Sequence, residues 1–416
     1  MSVAVLKPGW VAPAAEPFLK TGIVCAILAL TIFDRFGVRV TAGWSAPAAM
    51  VAMYALVAVM LATGAAELDR RRAGAFVAIV AATGLSFLVN RWFEPRPHES
   101  VTAWMLVLLT YAPFVLALRE TDSGLWRWSA RTFVSAALVV AAAGIAQFFA
   151  QFMTSAPWLF NYMPLIPEAL RASGTWNTVH PVASWVQEDG YWIKSNGFFL
   201  REASMFSLVL AVGMVCELAL GARRWALALL AAGLVLSYSG SGLLCLAVAL
   251  AFPLGRQTVL RVLGLTACAA VLVALLGDVL NLSYTVNRIE EFGSDTSSAY
   301  CRFIHPAFAV AQGLQTDAWS ALLGHGPGSM TRAGATCPDL HEPTYGKLLF
   351  EYGLLGLLAF GALVLQALNR PWIPLRVRVA LGFAWLFLGG NLVSSEIVVA
   401  IFLFCAIWPE KSRWRK

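Results

Sequence analysis

The sequence predicts an all-α polytopic membrane protein with about twelve transmembrane helices and a single membrane domain over residues 1–416. Two observations carry this prediction. Hydrophobic residues make up 59% of the chain and charged residues only 13%, whereas soluble domains contain about 45–50% apolar and about 25% charged residues. Apolar runs close to the length of a membrane-spanning helix, about 20 residues, also recur along the whole chain. A soluble enzyme, a disordered chain and a disulfide-stabilised scaffold are therefore excluded.

The apolar runs place the helices in chain order. They are predicted at about 17–33, 45–64, 73–90, 101–118, 132–153, 203–221, 225–237, 241–254, 262–280, 345–368, 378–390 and 392–408. The two short helices at 225–237 and 241–254 meet at the polar turn Ser237-Tyr238-Ser239-Gly240-Ser241-Gly242. We expect this turn to dip into the membrane.

The distribution of Lys and Arg predicts the orientation of the helices, because cytoplasmic loops carry an excess of these residues. With the N-terminus in the cytoplasm, 19 of the 30 Lys and Arg residues fall on the cytoplasmic side and 11 on the opposite side. With twelve helices, both termini are cytoplasmic. The net charge of +7 is then explained mostly by topology, and no nucleic-acid partner is predicted.

Two long loops, at about 154–202 and 281–344, face the outer side, and the second is too long to be a simple connection. Within the second loop, apolar residues at helical spacing over Ser297–Gln315 predict an amphipathic helix on the membrane surface, which Pro306 kinks or divides. All the histidines fall in outward segments. They are His98, His180, His305, His325 and His341. Any chemistry is therefore expected on that side.

The seven cysteines divide into two groups. Five lie within apolar runs and are expected to pack among other apolar side chains. Cys301 and Cys337 lie in the second long outward loop, where an oxidising compartment would allow a disulfide between them. The sequence fits both the paired and the unpaired form.

The first long outward loop leads into a helix through Lys194-Ser195-Asn196-Gly197-Phe198-Phe199-Leu200-Arg201-Glu202. Charged groups at the entrance to a membrane helix are costly unless they are paired or used. One interpretation is an ion pair between Arg201 and Glu202. The other is an anion clamp, in which Lys194 and Arg201 face a diphosphate and the N-terminal amides of the helix assist.

The second long outward loop contains further candidate groups. Arg302 lies on a different face of the amphipathic helix from the apolar stripe, where it points either into a cavity or into solvent. A glycine-rich turn follows at 323–329. His341 and Glu342 then lie just before the tenth predicted helix, and either residue type can act as a general base.

These motifs resemble the O-antigen ligase and O-antigen polymerase superfamily. The resemblance covers about residues 190–360, and its last part is Tyr345 followed by Glu351-Tyr352-Gly353-Leu354-Leu355-Gly356. Members of this superfamily are polytopic, inverting, metal-independent glycosyltransferases of the bacterial inner membrane, which take a glycan from undecaprenyl diphosphate. The resemblance implies the same location for this chain, with an active site that faces the periplasm.

Individual residues can be compared with the motifs of the superfamily. Gly197–Ser204 is similar to the segment Gly-x-Phe-x-Glu-Pro-Ser, with Ala203 where proline is usual. Lys194 stands where an arginine is common, and Arg302 matches the arginine that heads the outward helix. The resemblance implies that Arg201 and Arg302 bind the donor diphosphate and that Lys194 assists.

The catalytic motif departs from the family pattern. The run His341-Glu342-Pro343-Thr344-Tyr345 is similar to His-Asn-x-Tyr shifted by one residue, so the implied base is His341 or Glu342. Glu202 and Tyr345 are the implied contacts to the sugar or acceptor. Gly240 replaces an arginine in the Ser-x-Ser-Arg turn, and both departures favour a polymerase over a ligase. No metal ligand and no cofactor are predicted, because cations supply the stabilisation of the leaving diphosphate.

The implied function is a polymerase of undecaprenyl-diphosphate-linked oligosaccharide repeat units for a cell-surface polysaccharide, such as an O-antigen, a capsule or an exopolysaccharide. The first alternative is an O-antigen ligase, which transfers the glycan to the lipid A core of lipopolysaccharide. Further alternatives are a transporter for a lipid-linked glycan and a structural membrane subunit. The expected partners are the lipid-linked donor, a glycan or lipid acceptor and membrane lipid, and a chain-length regulator is a candidate protein partner.

Overall fold

A computed structural model describes most of the chain and shows a mostly helical protein. The described residues are 15–41, 44–93, 100–119, 123–154, 159–172, 193–253, 293, 298–314, 318–332, 342–388, 392 and 395–410. The predicted helix at 262–280 lies outside the described residues, as do His98, His180, His341 and Cys337.

The described residues form helices and short strands, numbered here in chain order. The helices are α1 Glu16–Thr31, α2 Ala48–Ala62, α3 Arg70–Phe93, α4 Val101–Tyr111, α5 Ser123–Ala150, α6 Ala203–Leu220, α7 Arg224–Leu236, α8 Gly240–Ala251, α9 Ser298–Phe303, α10 His305–Leu314, α11 Ala318–Leu323, α12 Ser329–Arg332, α13 Thr344–Leu368, α14 Leu375–Phe383 and α15 Ser395–Ile401. The π-helical turns Ala384–Leu388 and Phe402–Ala406 extend α14 and α15. The strands are β1 Gly37–Thr41, β2 Trp44–Pro47, β3 Ala66–Leu68 and β4 Leu116–Leu118, and they pair antiparallel as β1–β2 and β3–β4.

Four of the described helices are long and apolar enough to cross a membrane. They are α3, α5, α6 and α13, with mean hydropathy between 1.9 and 2.1. Shorter apolar helices, among them α2, α7 and α8, accompany them. The prediction of a helical membrane protein is therefore supported, whereas the number of twelve spans stays a prediction.

Helix boundaries follow local sequence signals. Pro47, Pro343 and Pro374 each occupy the extended residue directly before a helix, where a fixed φ and a missing N–H are tolerated. Ser100 caps α4, because its Oγ accepts a hydrogen bond from the Ala103 N–H at 3.3 Å.

Helix α5 starts at Ser123, nine residues before the predicted 132. The prediction was wrong because Arg127 and Arg131 interrupt the apolar run. The helix continues through them because Trp126 and Ala130 pack in the core on its other side.

Side-chain contacts bring the helix termini together at two ends of the helical bundle. At one end Asn90, near the end of α3, donates through Nδ2 to the Gly324 carbonyl at 3.0 Å. At the same end Arg201, just before α6, pairs with Asp34, just after α1. We call this the site end. Helices α1, α3, α5 and α7 finish there, and α4, α6, α8 and α13 begin there.

The opposite end, here called the basic end, is held by two buried arginines, Arg72 and Arg370. Both donate to Oδ2 of Asp69, at 2.8 and 3.2 Å, and to carbonyls near the end of the chain, those of Ala406 and Trp408. These contacts satisfy carbonyls that a helix end leaves free. Burial lowers the pKa of Arg370, and the charge of Asp69 partly offsets this effect.

Most cations predicted as cytoplasmic lie in the described residues, and they gather at the basic end. They are Lys20, Arg70, Arg71, Arg72, Arg119, Arg127, Arg131, Arg223, Arg224, Arg370, Arg376 and Arg378. Cations predicted on the outer side, such as Arg35 and Lys347, lie at the site end. The charge asymmetry between the two ends is the one expected for a membrane protein.

The outer surface of the long helices is apolar. Val77 and Leu88 of α3, and Leu358 and Leu365 of α13, are all more than half exposed. Soluble monomers rarely expose extended apolar surface, whereas lipid chains accept it. The exposed faces therefore fit a lipid environment better than water.

The predicted amphipathic helix over Ser297–Gln315 is divided. Helices α9 and α10 meet at Ile304, and Pro306 is the second residue of α10, where it does not break a helical hydrogen bond. Ala309 and Val310 are buried, whereas Phe308 of the apolar stripe is 60% exposed. The predicted effect of Pro306 is confirmed, and an apolar side chain remains available to lipid.

Candidate functional site

The segment before α6 is non-helical and is held by Gln147 of α5. Oε1 of Gln147 accepts hydrogen bonds from Ser195 Oγ at 3.0 Å and from the N–H groups of Asn196 and Phe198 at 3.1 and 3.3 Å. Gly197 and Phe198 both have positive φ, at 71° and 65°. Because residues other than glycine rarely adopt this region, the hydrogen bonds to Gln147 stabilise a strained turn.

Two predicted site residues flank this turn. Lys194 is buried, an unusual position for a lysine. Glu202 is exposed, and its Oε2 accepts a hydrogen bond from Ser204 Oγ at 2.7 Å. The turn therefore presents a carboxylate to the surface and holds an ammonium group inside the protein.

Arg201 is fixed by two buried carboxylates. Its N–H and its Nε donate to Asp34 Oδ2 at 3.0 and 3.3 Å, and its Nη2 pairs with Glu396. The side chain of Arg201 is 19% exposed, whereas Asp34 and Glu396 are almost fully buried. The guanidinium thus lies at the boundary between the interior and the surface, in a fixed orientation.

Arg35 is buried beside Asp34 and Arg201. Its Nε and Nη2 donate to the carbonyls of Leu200 and Phe160 at 2.8 and 2.9 Å. Its guanidinium lies 5.1 Å from the ring centroid of Tyr162. Burial lowers the pKa of Arg35 to about 10, and electrostatic interactions with Tyr162 and Asp34 offset part of this shift. Arg35 therefore connects the end of α1 to the segments 159–172 and 193–202.

Sequence reasoning missed three members of this charged group, Asp34, Arg35 and Glu396. A usable signal existed, because Asp34 and Arg35 directly follow the first apolar run and Glu396 lies inside the last one. A charged residue in an apolar run has to be paired or used. With Arg201, the group has two positive and two negative charges.

A second group lies where α10 meets the start of α13. Nδ1 of His305 lies 3.1 Å from Oε1 of Glu342. The two atoms are at ion-pair distance but do not form a hydrogen bond of good geometry. Nδ1 of His305 is also buried. Glu342, one of the two predicted bases, is 3% exposed, and the side chain of His305 is 25% exposed. The other predicted base, His341, lies outside the described residues.

Two further predicted residues lie close to this group. The ring of Tyr345 packs against Phe387, with centroids 5.5 Å apart. Arg302 is a residue of α9. This helix lies against the π-helical turn Ala384–Leu388, which contains Phe387. The side chain of Arg302 lies outside the described residues. Glu396 of the Arg201 group follows Phe387 by nine residues in the sequence.

The glycine-rich turn docks on a break in α13. Gly353 has φ 61° and ψ −161° within the helix, a combination that is essentially limited to glycine. A Cβ at Gly353 would lie 2.4 Å from the Leu322 carbonyl carbon, and one at Gly324 would lie 2.4 Å from that of Glu351. The break frees the Glu351 carbonyl, which accepts a hydrogen bond from the Gly326 N–H at 2.9 Å. This motif therefore joins two backbones.

His325, inside the same turn, is held on both sides. Its Nε2 lies 3.3 Å from the Gly313 carbonyl, and its ring packs on Phe350 at 5.0 Å. These contacts indicate a packing role. Cys301 of α9 forms a disulfide bond, and Cys337, the candidate partner in the sequence, lies outside the described residues.

The chain matches no protein-family model and no curated protein. The two groups at the site end, around Arg201 and around Glu342, have chemistry that a functional site can use. A fixed guanidinium at a surface boundary can bind an anion. A histidine beside a carboxylate can accept a proton from a hydroxyl group.

Proposed function

We propose that the chain is a membrane glycosyltransferase that polymerises undecaprenyl-diphosphate-linked oligosaccharide repeat units, with inversion and without a metal ion. The observation that supports it most is the position of the Arg201 and Glu342 groups at one end of an apolar helical bundle. Charges buried in such a bundle are costly unless they are paired or used. This combination suits a donor with a lipid tail and an anionic leaving group.

Arg201, Arg302 and Lys194 bind the donor diphosphate in this proposal. Negative charge grows on the diphosphate as the glycosyl bond breaks, and fixed cations stabilise that charge without reorganising. Asp34 and Glu396 hold the Arg201 guanidinium in place, and its 19% exposed fraction leaves it accessible to a ligand. The fixed orientation supports the assignment of Arg201 as the central diphosphate contact.

The resemblance implies His341 or Glu342 as the group that removes the proton of the acceptor hydroxyl, and Glu202 and Tyr345 as contacts to the sugar or acceptor. The exposed carboxylate of Glu202 suits hydrogen bonding to sugar hydroxyls. The ring of Tyr345 suits the apolar face of a sugar.

The protein lies in the bacterial inner membrane with about twelve spans, both termini in the cytoplasm, and the site end in the periplasm. The disulfide at Cys301 supports this orientation, because disulfides persist in oxidising compartments. Cysteine labelling tests it in cells, with Cys25 replaced by Ser. A membrane-impermeant maleimide should label Glu168→Cys before permeabilisation and Arg71→Cys only after it. These side chains are 71% and 76% exposed at opposite ends, so the reverse pattern would contradict the orientation.

The activity is tested with purified protein in liposomes that contain a lipid-linked repeat unit. We expect chains of two or more repeats, and a strong loss of turnover in Arg302→Ala. Arg39→Ala is the matched control, because Arg39 is an exposed cation at the same end and pairs only on the surface with Glu168. Equal turnover by Arg302→Ala and Arg39→Ala would contradict the diphosphate role.

The same site chemistry serves an O-antigen ligase, whose acceptor is the lipid A core, and the acceptor distinguishes the two. A deletion strain of a polymerase loses chain length beyond one repeat. A deletion strain of a ligase keeps long lipid-linked chains and loses their attachment to the core. A lipid-linked-glycan transporter would move the substrate without forming a glycosidic bond.

A further inference from the structure

Of the two histidines in the part of the chain that the structure describes, His305 and His325, His305 has the surroundings that differ more from a packing role. It begins α10, and its Nδ1 faces Oε1 of Glu342 at 3.1 Å. Nδ1 is buried, so the 25% exposed fraction of the side chain lies on the rest of the residue. His325 offers a contrast, because its Nε2 already contacts the Gly313 carbonyl and Phe350 covers its ring.

We propose that His305 is the general base of the transfer and that Glu342 is its positioning residue, an assignment that rests on the proposed function. A carboxylate beside one imidazole nitrogen fixes the ring and the tautomer, and the second nitrogen is then free to accept a proton. Glu342 supplies the carboxylate from the residue pair just before α13. His305 supplies the exposed imidazole from α10.

Burial decides which member of the pair meets the acceptor. A general base has to approach the hydroxyl to about 2.6–3.2 Å. The Glu342 side chain is 3% exposed, whereas that of His305 is 25% exposed. A sugar hydroxyl can therefore reach the imidazole without rearranging the start of α13. Oε1 of Glu342 lies 3.1 Å from Nδ1 of the imidazole, which fits a supporting role.

The position of α10 also favours this assignment. Pro306 packs against Gly346 of α13, where a Cβ would lie 2.8 Å from the proline Cβ. This close approach brings the first turn of α10 onto the first turn of α13, and it sets the distance between His305 and Glu342. The histidine is therefore held by backbone packing, as a positioned catalytic group requires.

The transfer step begins at the acceptor hydroxyl. The acceptor hydroxyl loses its proton to Nε2 of His305, and its oxygen forms a bond to the anomeric carbon of the donor. The bond between that carbon and the diphosphate oxygen breaks, and the electron pair leaves with undecaprenyl diphosphate. The imidazolium, which is stabilised by Glu342, later releases its proton to water.

Imidazole rescue of turnover in the liposome assay tests this assignment. We expect His305→Ala to lower kcat by about 10²–10⁴-fold, with KM nearly unchanged, and added imidazole to restore part of the loss. Glu342→Gln should lower kcat without any rescue. His325→Gln is the control, and we expect it to lower thermal stability but to keep kcat within about twofold of wild type.

Each outcome is decisive for the assignment. If wild-type protein turns over and His305→Ala retains its kcat, His305 is not the base. If His305→Ala loses turnover without rescue, while His341→Ala is rescued by imidazole, the base is His341. If wild-type protein forms no glycosidic bond with either acceptor, the proposed function fails, independently of His305.

Discussion

The break in α13 at Gly353 should make the variant Gly353→Ala less stable than the wild type. Gly353 adopts φ 61° and ψ −161°, and a Cβ there would lie 2.4 Å from the Leu322 carbonyl carbon and 2.5 Å from its oxygen. These are backbone atoms, so they cannot rotate away as a flexible side chain would. The variant must either strain its own backbone or separate α13 from the end of α11.

The magnitude follows from these two terms. A non-glycine residue in this region of φ and ψ costs about 1–3 kcal/mol, and overpacking a close contact costs about 1–3 kcal/mol. Together they destabilise the folded state by about 2–6 kcal/mol. For a large domain, about 1 kcal/mol lowers Tm by about 2–4 °C. We therefore expect Tm to fall by at least about 4 °C.

The matched control is Gly361→Ala, in the same helix. A Cβ at Gly361 would meet no atom within 4 Å, and alanine favours a helix by up to about 1 kcal/mol over glycine. Thermal unfolding of the detergent-purified proteins, followed by tryptophan fluorescence, compares the two variants. Equal Tm values for Gly353→Ala and Gly361→Ala would refute the backbone contact between α13 and the glycine-rich turn.

Three other substitutions test the remaining contacts. Gln147→Leu removes the acceptor shared by Ser195 Oγ and two backbone N–H groups. Ser195 Oγ keeps the Gly144 carbonyl and the Phe198 N–H keeps Asn196 Oδ1, so the Asn196 N–H is left unsatisfied and the variant should lose about 1–3 kcal/mol of stability. The segment before α6 should become sensitive to proteolysis, and wild-type protease resistance would count against this. Arg35→Lys keeps a charge but loses the planar guanidinium that donates to two carbonyls. Its Tm should therefore fall more than that of the exposed control Arg39→Lys. Equal Tm values for the two variants would argue against the role of Arg35 in joining these segments. Burial alone would raise the pKa of Asp69, but the charge and hydrogen bonds of Arg72 and the charge of Arg370 outweigh it and lower this pKa below its ordinary value. Its stabilisation is present above about pH 4 and is lost as the pH falls through the lowered pKa, so the Tm difference between wild type and Asp69→Asn should narrow below that pH, and a constant difference would contradict this.

The fold class could be predicted because lipid solvation imposes long apolar helices. The segregation of cations between the two ends could also be predicted, because it follows a rule of membrane insertion. The extension of α5 to Ser123 could not, because Arg127 and Arg131 reach the surface from a helix whose other face is buried. Composition alone does not reveal which face of a helix a charge occupies.

The site could be predicted only in part. Lys194, Arg201 and Glu342 were selected by their residue types and by their positions next to apolar runs. The partners Asp34, Glu396 and His305 are distant from them in sequence, so only the packing of α1, α15 and α10 brings them into contact. The glycine-rich turn was identified as a motif, but its role in joining two backbones depends on the break at Gly353.

Release of undecaprenyl diphosphate by the purified protein is the direct test of the proposed polymerase activity. The protein is incorporated into liposomes with a lipid-linked repeat unit, and both the lipid product and the glycan length are measured over time. We expect one undecaprenyl diphosphate to be released for each glycosidic bond formed, with elongation of the lipid-linked glycan. Elongation without release of undecaprenyl diphosphate would contradict the proposed function. So would the absence of both elongation and release when either a repeat unit or the lipid A core is offered as acceptor.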